Sequence, residues 1–109
     1  MATSAYIEQN PDVIQKFTNA IQKGQTWVKE HSSAEIAEVI LPQFPDSDKE
    51  TLTIIIDRYK QQDTWKENTL FDKDGFTLIQ DIMEQGGELS GRVPYEDMIV
   101  TTFSEKAMP

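Results

Sequence analysis

The sequence predicts an all-α fold, in which four to five short helices form a compact bundle. Apolar residues recur at helical spacing in several segments, and N-capping residues stand immediately before these segments. Prolines and glycines separate the segments and leave short connections. A chain of 109 residues corresponds to one domain. We therefore expect a single helical domain over residues 1–109, with residues 10–109 in the bundle and residues 1–9 as a strand remnant or a docking arm.

The clearest predicted helix spans Pro11–His31. The side-chain oxygen of Asn10 is suited to cap its first turn, and Pro11 suits the first helical position. At about 100° per residue, the apolar side chains that follow lie within an arc of roughly 140°. They are Val13, Ile14, Phe17, Ala20, Ile21, Trp27 and Val28. Gly24 lies near the middle of this arc. Because glycine costs ~1 kcal/mol in a helix interior, we expect another helix to approach closely there.

The second predicted helix follows a capping box, Ser32–Glu35, in which a Ser hydroxyl and a Glu carboxylate each accept a free N–H. Pro42 is expected to end this helix, because proline disfavours the helical region for the residue before it, Leu41. Phe44 lies between two prolines and is expected to insert into the core.

The third predicted helix follows a second capping box, Ser47–Glu50, and extends to about Gln62. Its β-branched run 53–56 would also suit a strand. The cap and four apolar residues at helical spacing favour the helix. These residues are Leu52, Ile55, Ile56 and Tyr59. Ile54 lies away from their stripe, so we expect this helix to be covered on two sides.

Two further helices are predicted in the C-terminal part of the chain. After the irregular segment 61–71, Asp72 is suited to cap a helix that extends to about Gln85. Its apolar stripe consists of Phe76, Leu78, Ile79, Ile82 and Met83. The glycine pair 86–87 predicts the end of this helix. The last helix is predicted over Pro94–Glu105.

The composition argues against several classes of function. The net charge is −9, and ten basic residues are scattered among nineteen acidic ones, which disfavours binding to nucleic acids and to anionic membranes. The chain has no cysteine and one histidine, so it offers no disulfide, no thiol chemistry and no histidine cluster for a metal. Asp72–Gly75 suggests an EF-hand loop, but the first ligand position would then be Leu70, which cannot coordinate calcium.

No nucleophile, base and metal can be assembled into one reactive set. We therefore expect no enzymatic activity, no catalytic residue, no metal and no cofactor. Of the two tryptophans, Trp65 is the one that periodicity does not explain, because it lies in a polar segment between helices. It either covers the core from a loop or faces a ligand or partner, and both interpretations stay open.

Several stretches together resemble a known family. Residues 6–17, YIEQNPDVIQKF, followed by Ala20, Gln25, Trp27 and Val28, are similar to the later part of ABC-transporter substrate-binding proteins. The most similar group binds nitrate, sulfonates, taurine or pyrimidine precursors. The stretches DTW at 63–65, LIQDIM at 78–83 and RVPY at 92–95 also resemble this family. The resemblance extends over nearly the whole chain.

This resemblance implies a specific role. Members of the family have two α/β lobes, bind a ligand in the cleft between them and close by a hinge motion. The chain would match their C-terminal, helical part, a periplasmic-binding-protein-like fold without its α/β sheets. It would support capture of a small anionic or heterocyclic nutrient for an ABC permease, in a parent protein that is periplasmic or a cell-surface lipoprotein. No signal peptide is visible at the N-terminus. The alternative is an autonomous helical protein-interaction module.

Two expectations follow for the surface of the chain. Most ligand contacts in the family come from the α/β lobes, so Trp65, Asp63 and Tyr59 are the candidate ligand-binding residues within this segment. A C-terminal portion on its own should also leave apolar side chains uncovered, Ile54 and Leu78 among them. Because large exposed apolar patches favour association, we expect the isolated chain to form dimers or other self-associated species.

Overall fold

A computed structural model describes all residues from Met1 to Pro109. It contains seven α-helices and no strand, which confirms the all-α class. The helices are α1 (Ser4–Gln9), α2 (Pro11–Glu30), α3 (Ser33–Ile40), α4 (Lys49–Gln61), α5 (Lys73–Gln85), α6 (Tyr95–Met98) and α7 (Thr102–Ala107). The number exceeds the predicted four to five because the N-terminal segment is helical and the last predicted helix is interrupted.

The N-terminal segment corrects one prediction. Residues 1–9 were expected to be a strand remnant or an arm, but Ser4–Gln9 is an α-helix whose first turn is capped by the Thr3 hydroxyl, which accepts from the Tyr6 N–H at 3.2 Å. The side chain of Asn10 also differs from its predicted role. Its amide nitrogen donates to the Tyr6 carbonyl at 3.2 Å, so Asn10 caps the end of α1 rather than the start of α2.

Helix α2 has nearly the predicted bounds, but its buried side is not the predicted one. Gln22 is only 5% exposed, whereas Phe17, in the middle of the apolar arc, is 68% exposed. No atom outside the helix lies within 4 Å of the place where a Cβ on Gly24 would stand. The expected close approach of another helix at Gly24 is therefore wrong for this chain.

The start of α3 agrees with the prediction, whereas the chain that follows this helix differs from it. The Ser32 hydroxyl accepts from the Glu35 N–H at 3.3 Å and the Glu35 carboxylate accepts from the Ser32 N–H at 2.8 Å, which confirms the capping box. Helix α3 ends before Pro42 as predicted, but Leu41 does not leave the helical region of dihedral angles. The chain continues from α3 into a 3₁₀ turn, and proline is compatible with the first positions of such a turn. Phe44 is 47% exposed, so its predicted insertion into the core is wrong.

The start of α4 is shifted by one residue from the prediction. Asp48, not Ser47, is the N-cap. Its carboxylate accepts both the N–H and the hydroxyl of Thr51, at 2.8 and 3.0 Å. A carboxylate with two donors on Thr51 is a better cap than a serine hydroxyl with one. Ile54 is 59% exposed, so the expectation that this helix is covered on two sides is wrong.

The chain divides into two units, and residues 19–68 form one of them. Its core consists of buried residues of α3 and α4 with partly buried apolar residues around them. The buried residues are Ile36, Ala37, Leu52 and Ile56, and the surrounding ones are Trp27, Val28, Ile40 and Leu41. This core is small, so the unit depends on few apolar contacts for its stability.

The other unit contains residues 1–18 and 69–109. Phe76 is buried and packs edge to face against Phe71 and Tyr95, with ring centroids 6.1 and 5.6 Å apart. Asp72 caps α5 as predicted, since its side chain accepts from the Gly75 N–H at 2.6 Å. The single domain expected over residues 1–109 stays a prediction.

The local sequence explains both the end of α5 and the interruption of the last predicted helix. Gly87 has φ +76°, and the N–H groups of Gly87 and Glu88 donate to the last turn of α5 in a Schellman arrangement, which confirms the helix end predicted from the glycine pair. The predicted helix Pro94–Glu105 is interrupted after Met98, where Ile99 is extended. The β-branched run 99–102 explains the interruption, because such side chains lose χ1 freedom in a helix.

Candidate binding sites

The three predicted ligand-binding residues lie together at the end of α4. Asp63 has φ +52°, and its N–H donates to the Lys60 carbonyl at 3.1 Å. The Thr64 N–H donates to the Tyr59 carbonyl at 3.1 Å. These two hydrogen bonds form a Schellman motif with aspartate in the left-handed position that glycine usually occupies. The motif turns the chain sharply and places Trp65 beside Tyr59.

Trp65 and Tyr59 form an aromatic pair. Their ring centroids are 5.6 Å apart and their planes are nearly perpendicular, at 87°. Trp65 remains 39% exposed and is absent from the core of its unit. Of the two interpretations of Trp65, a place at the surface beside a pocket therefore fits better than a cover over the core.

A pocket of about 150 Å³ lies next to this pair. It is lined by Gln25, Val28 and Lys29 of α2, by Lys60 of α4, and by Asp63, Trp65, Lys66 and Glu67 of the loop. Two of the candidates from the sequence, Trp65 and Asp63, line it directly. Tyr59 does not line the pocket, but its ring packs against that of Trp65.

The charged groups of the pocket are paired with one another. Lys29 contacts Glu67 at 2.8 Å and Lys66 contacts Asp63 at 2.5 Å. Lys60 donates to the main-chain carbonyl of His31, where a cation is favoured at the C-terminal end of α2. All four carboxylate and ammonium groups of the two ion pairs are mostly exposed.

Two glutamines of α2 hold the loop that carries Trp65. The side-chain amide of Gln22 donates to the Glu67 carbonyl at 3.0 Å, and that of Gln25 donates to the Asn68 carbonyl at 3.1 Å. The sequence did not indicate these contacts, because Gln22 lies outside the apolar arc of α2 and periodicity therefore gives no reason to expect it to be buried. The only available signal was a glutamine pair at i, i+3 on the polar side of an otherwise amphipathic helix.

Two larger grooves lie in the unit of residues 1–18 and 69–109. One, of about 360 Å³, runs along α5 and α6 past Phe76 and Tyr95. The other, of about 490 Å³, is mainly apolar and is lined in part by Ile7, Phe17 and Phe103. Neither contains the only histidine, and no three acidic or histidine side chains in the chain are placed to hold a metal ion.

The shifted pKa values belong to helix caps, loop anchors and surface ion pairs rather than to reactive groups. The Ser32 hydroxyl, followed by the Ser32 N–H, lowers the pKa of Glu35. The Thr51 N–H and then its hydroxyl lower the pKa of Asp48. Hydrogen bonds that Arg92 donates, first to Glu84 and then to Asp81, raise its pKa and tie the loop after α5 to that helix. Each shift therefore has a structural cause.

Several apolar side chains are exposed on helix surfaces, as expected for a portion of a longer protein. On α5, Leu78 is 59% and Ile82 is 61% exposed, and Ile79 and Met83 are also exposed beside them. On α2, the exposed apolar positions lie within an arc of about 100°. They are Val13, Phe17, Ala20 and Ile21, with the open Gly24 among them. These two helix faces have no cover within the chain.

The chain is similar to a longer protein of Bacillus subtilis (strain 168) named "Putative binding protein YtlA". The two are 36% identical over 106 residues, which cover 97% of this chain and 32% of the relative. The chain therefore spans about a third of the length of the curated relative that it matches. No protein-family model and no solved structure matches the chain.

The similarity supports a binding role in general terms, and the relative is named as a binding protein rather than as an enzyme. None of the helices is both long enough and apolar enough to cross a membrane.

Proposed function

We propose that the chain is the C-terminal, helical portion of an ABC-transporter solute-binding protein. In this role it is non-catalytic and supports the capture of a small anionic or heterocyclic nutrient for import through an ABC permease. The observation that carries the proposal is the match of nearly the whole chain to a third of a longer binding protein. The order of the stretches that resemble this family is the second support.

The helix surfaces give the proposal a physical basis. Exposed apolar side chains on α5 and α2 cost free energy in water, at roughly 25 cal/mol per Å² of apolar surface left unburied. A longer parent protein would remove this cost by packing its α/β lobes on these faces. Gly24 would then allow close approach of that partner, which explains an unfavourable residue at an otherwise open position of α2.

The proposed parent protein works outside the cytoplasm, in the periplasm or as a cell-surface lipoprotein. Its α/β lobes would enclose the ligand and close by a hinge motion, while the helical portion would stabilise one lobe. In isolation, the uncovered faces would favour association of the chain with itself.

The proposal is tested by the DNA upstream of the Met1 codon. We expect an in-frame continuation into an α/β sequence, with permease and ATPase genes beside it. A stop codon and an independent promoter immediately upstream, without transporter genes nearby, would contradict the proposal and favour the autonomous interaction module.

A further inference from the structure

We propose that the pocket beside Trp65 binds a small carboxylate that carries a single aromatic ring. All residues that line the pocket lie between Gln25 and Glu67, so the site can be tested in the isolated chain, whereas the proposed function rests on the match to a longer protein. Its failure would therefore leave the proposed function standing.

The size of the pocket suits a single aromatic ring. Its volume of about 150 Å³ is close to that of the apolar protein cavities, also about 150 Å³, that hold a benzene molecule. The ring of a benzoate-sized molecule would fill this space and leave its carboxylate at the rim, where the lysine side chains lie.

The charge of the pocket selects an anion. Lys29, Lys60 and Lys66 are three of the ten basic residues of the chain, whereas only two of its nineteen acidic residues, Asp63 and Glu67, line the pocket. The pocket therefore has one more positive than negative group in a chain with a net charge of −9. An anion that is repelled by most of this surface is attracted here.

The existing ion pairs do not block such a ligand. The pairs Lys29–Glu67 and Lys66–Asp63 are mostly exposed, and exposed pairs contribute only about 0–1 kcal/mol. A ligand carboxylate can therefore replace Glu67 or Asp63 as the partner of a lysine ammonium group at a small cost in free energy. Lys60 is held at the pocket by the main-chain carbonyl of His31, and its charge also attracts the carboxylate of Glu35 outside the pocket, without an ion pair to either pocket carboxylate.

The indole of Trp65 provides the surface for the ring. Tyr59 packs on Trp65 edge to face, so at least one face of the indole is not covered by Tyr59. Aromatic rings that pack on such a face are favoured by about 0.5–1.5 kcal/mol beyond area burial. The Schellman motif at Asp63 and the hydrogen bonds from Gln22 and Gln25 fix the loop, so little ordering is needed when the ligand binds.

The test uses the unaltered 109-residue chain and three probes, with the Trp65 indole N–H signal in ¹H–¹⁵N NMR spectra as the readout. Benzoate has the ring and the charge, benzamide has the ring only, and acetate has the charge only. We expect benzoate to shift the Trp65 signal in a saturable manner and to bind about tenfold more tightly than either control. Trp27→Phe assigns the two indole signals.

Variants locate the site. Lys66→Met and Lys29→Met, which keep the apolar stem of the side chain, should each weaken benzoate binding severalfold. Lys23→Met, an exposed lysine of α2 outside the pocket, should leave it unchanged. The proposal is overturned by the absence of a saturable shift with benzoate, by equal binding of all three probes, or by equal effects of the lysine variants inside and outside the pocket.

Discussion

Glutamine side chains hold the irregular segments of this chain in place. The amides of Gln22, Gln25 and Gln80 donate to main-chain carbonyls of irregular segments, and the amide of Gln15 donates to the Phe103 carbonyl in α7. Gln80 is the most complete case, because its side-chain oxygen also accepts from the Val93 N–H at 2.8 Å. Side-chain hydrogen bonds therefore contribute part of the stability that a larger apolar core provides in other proteins.

Replacement of Gln80 by methionine should lower the free energy of unfolding by about 1–3 kcal/mol. The side chain keeps its approximate volume, but Val93 loses a partner for both its N–H and its carbonyl. Urea unfolding followed by circular dichroism measures the change. Gln85→Met, at an exposed position of the same helix, is the matched control and should change stability by less than about 0.5 kcal/mol.

Gly24 permits a test of the open face of α2. Gly24→Ala should stabilise the isolated chain by up to about 1 kcal/mol, because alanine favours the helix and no atom outside the helix lies near its Cβ. Gly24→Leu should not destabilise it. A loss of about 1–3 kcal/mol for Gly24→Leu in the same chemical unfolding experiment would instead indicate a close neighbour.

At the scale of residues, helix N-caps were predicted from the sequence more accurately than contacts between residues that are far apart in the chain. Ser32 and Asp72 were correctly predicted as N-caps because capping depends on neighbours within three residues. Gln22 was not recognised as buried, because its partner lies 45 residues away in the chain. The same limit explains why Asp63 and Tyr59 were found as site candidates only through a family resemblance, why Trp65 was first noticed only because periodicity does not explain it, and why Lys29 was not found.

At the scale of elements, helical periodicity predicted where α2, α3 and α5 lie, but in α2 and in most of α5 the predicted apolar stripe is not the buried face. An amphipathic pattern shows that a helix has an apolar side, and it does not show whether the partner of that side lies in the same chain. In α2 the arc centred near Phe17 is largely open, while the flank at Gln22 is buried. A helix that packs against an additional partner would show this difference between its apolar arc and the face that is buried within the chain.

The capping box of α3 should make stability depend on acidic pH. Because the pKa of Glu35 is lowered in the folded chain from its ordinary 4.5, its contribution is fully present above about pH 4.5 and is lost as the pH falls through the folded value. Glu35→Gln should therefore show a smaller loss of thermal stability between neutral and acidic pH than the unaltered chain. Glu8→Gln, at an exposed position of α1, is the control for a general loss of negative charge. An equal acid-induced loss in the Glu35 variant would contradict this role.

At the scale of the whole molecule, the exposed face of α5 should promote self-association. Leu78 and Ile82 are both more than half exposed, and two copies could bury this apolar surface against each other. We expect sedimentation at micromolar concentration to show dimers, and Ile82→Lys to shift the chain towards the monomer. Thr77→Lys, which adds the same charge at an exposed position next to this face, is the control. A clean monomer for the unaltered chain would contradict the prediction.

The most direct test of the proposed role compares thiol reactivity at position 78 in two settings. The chain has no cysteine, so Leu78→Cys introduces a single reactive group. This thiol is labelled in the dilute isolated chain and in a chimera, in which this chain replaces the matching third of the Bacillus subtilis relative. A parallel Lys23→Cys pair corrects for reactivity that does not depend on the apolar face. If the helical portion packs on the rest of a binding protein, labelling of the Leu78→Cys variant should be at least about tenfold slower in the chimera. Equal labelling rates in the two settings would contradict the proposal that this face is covered in a longer protein.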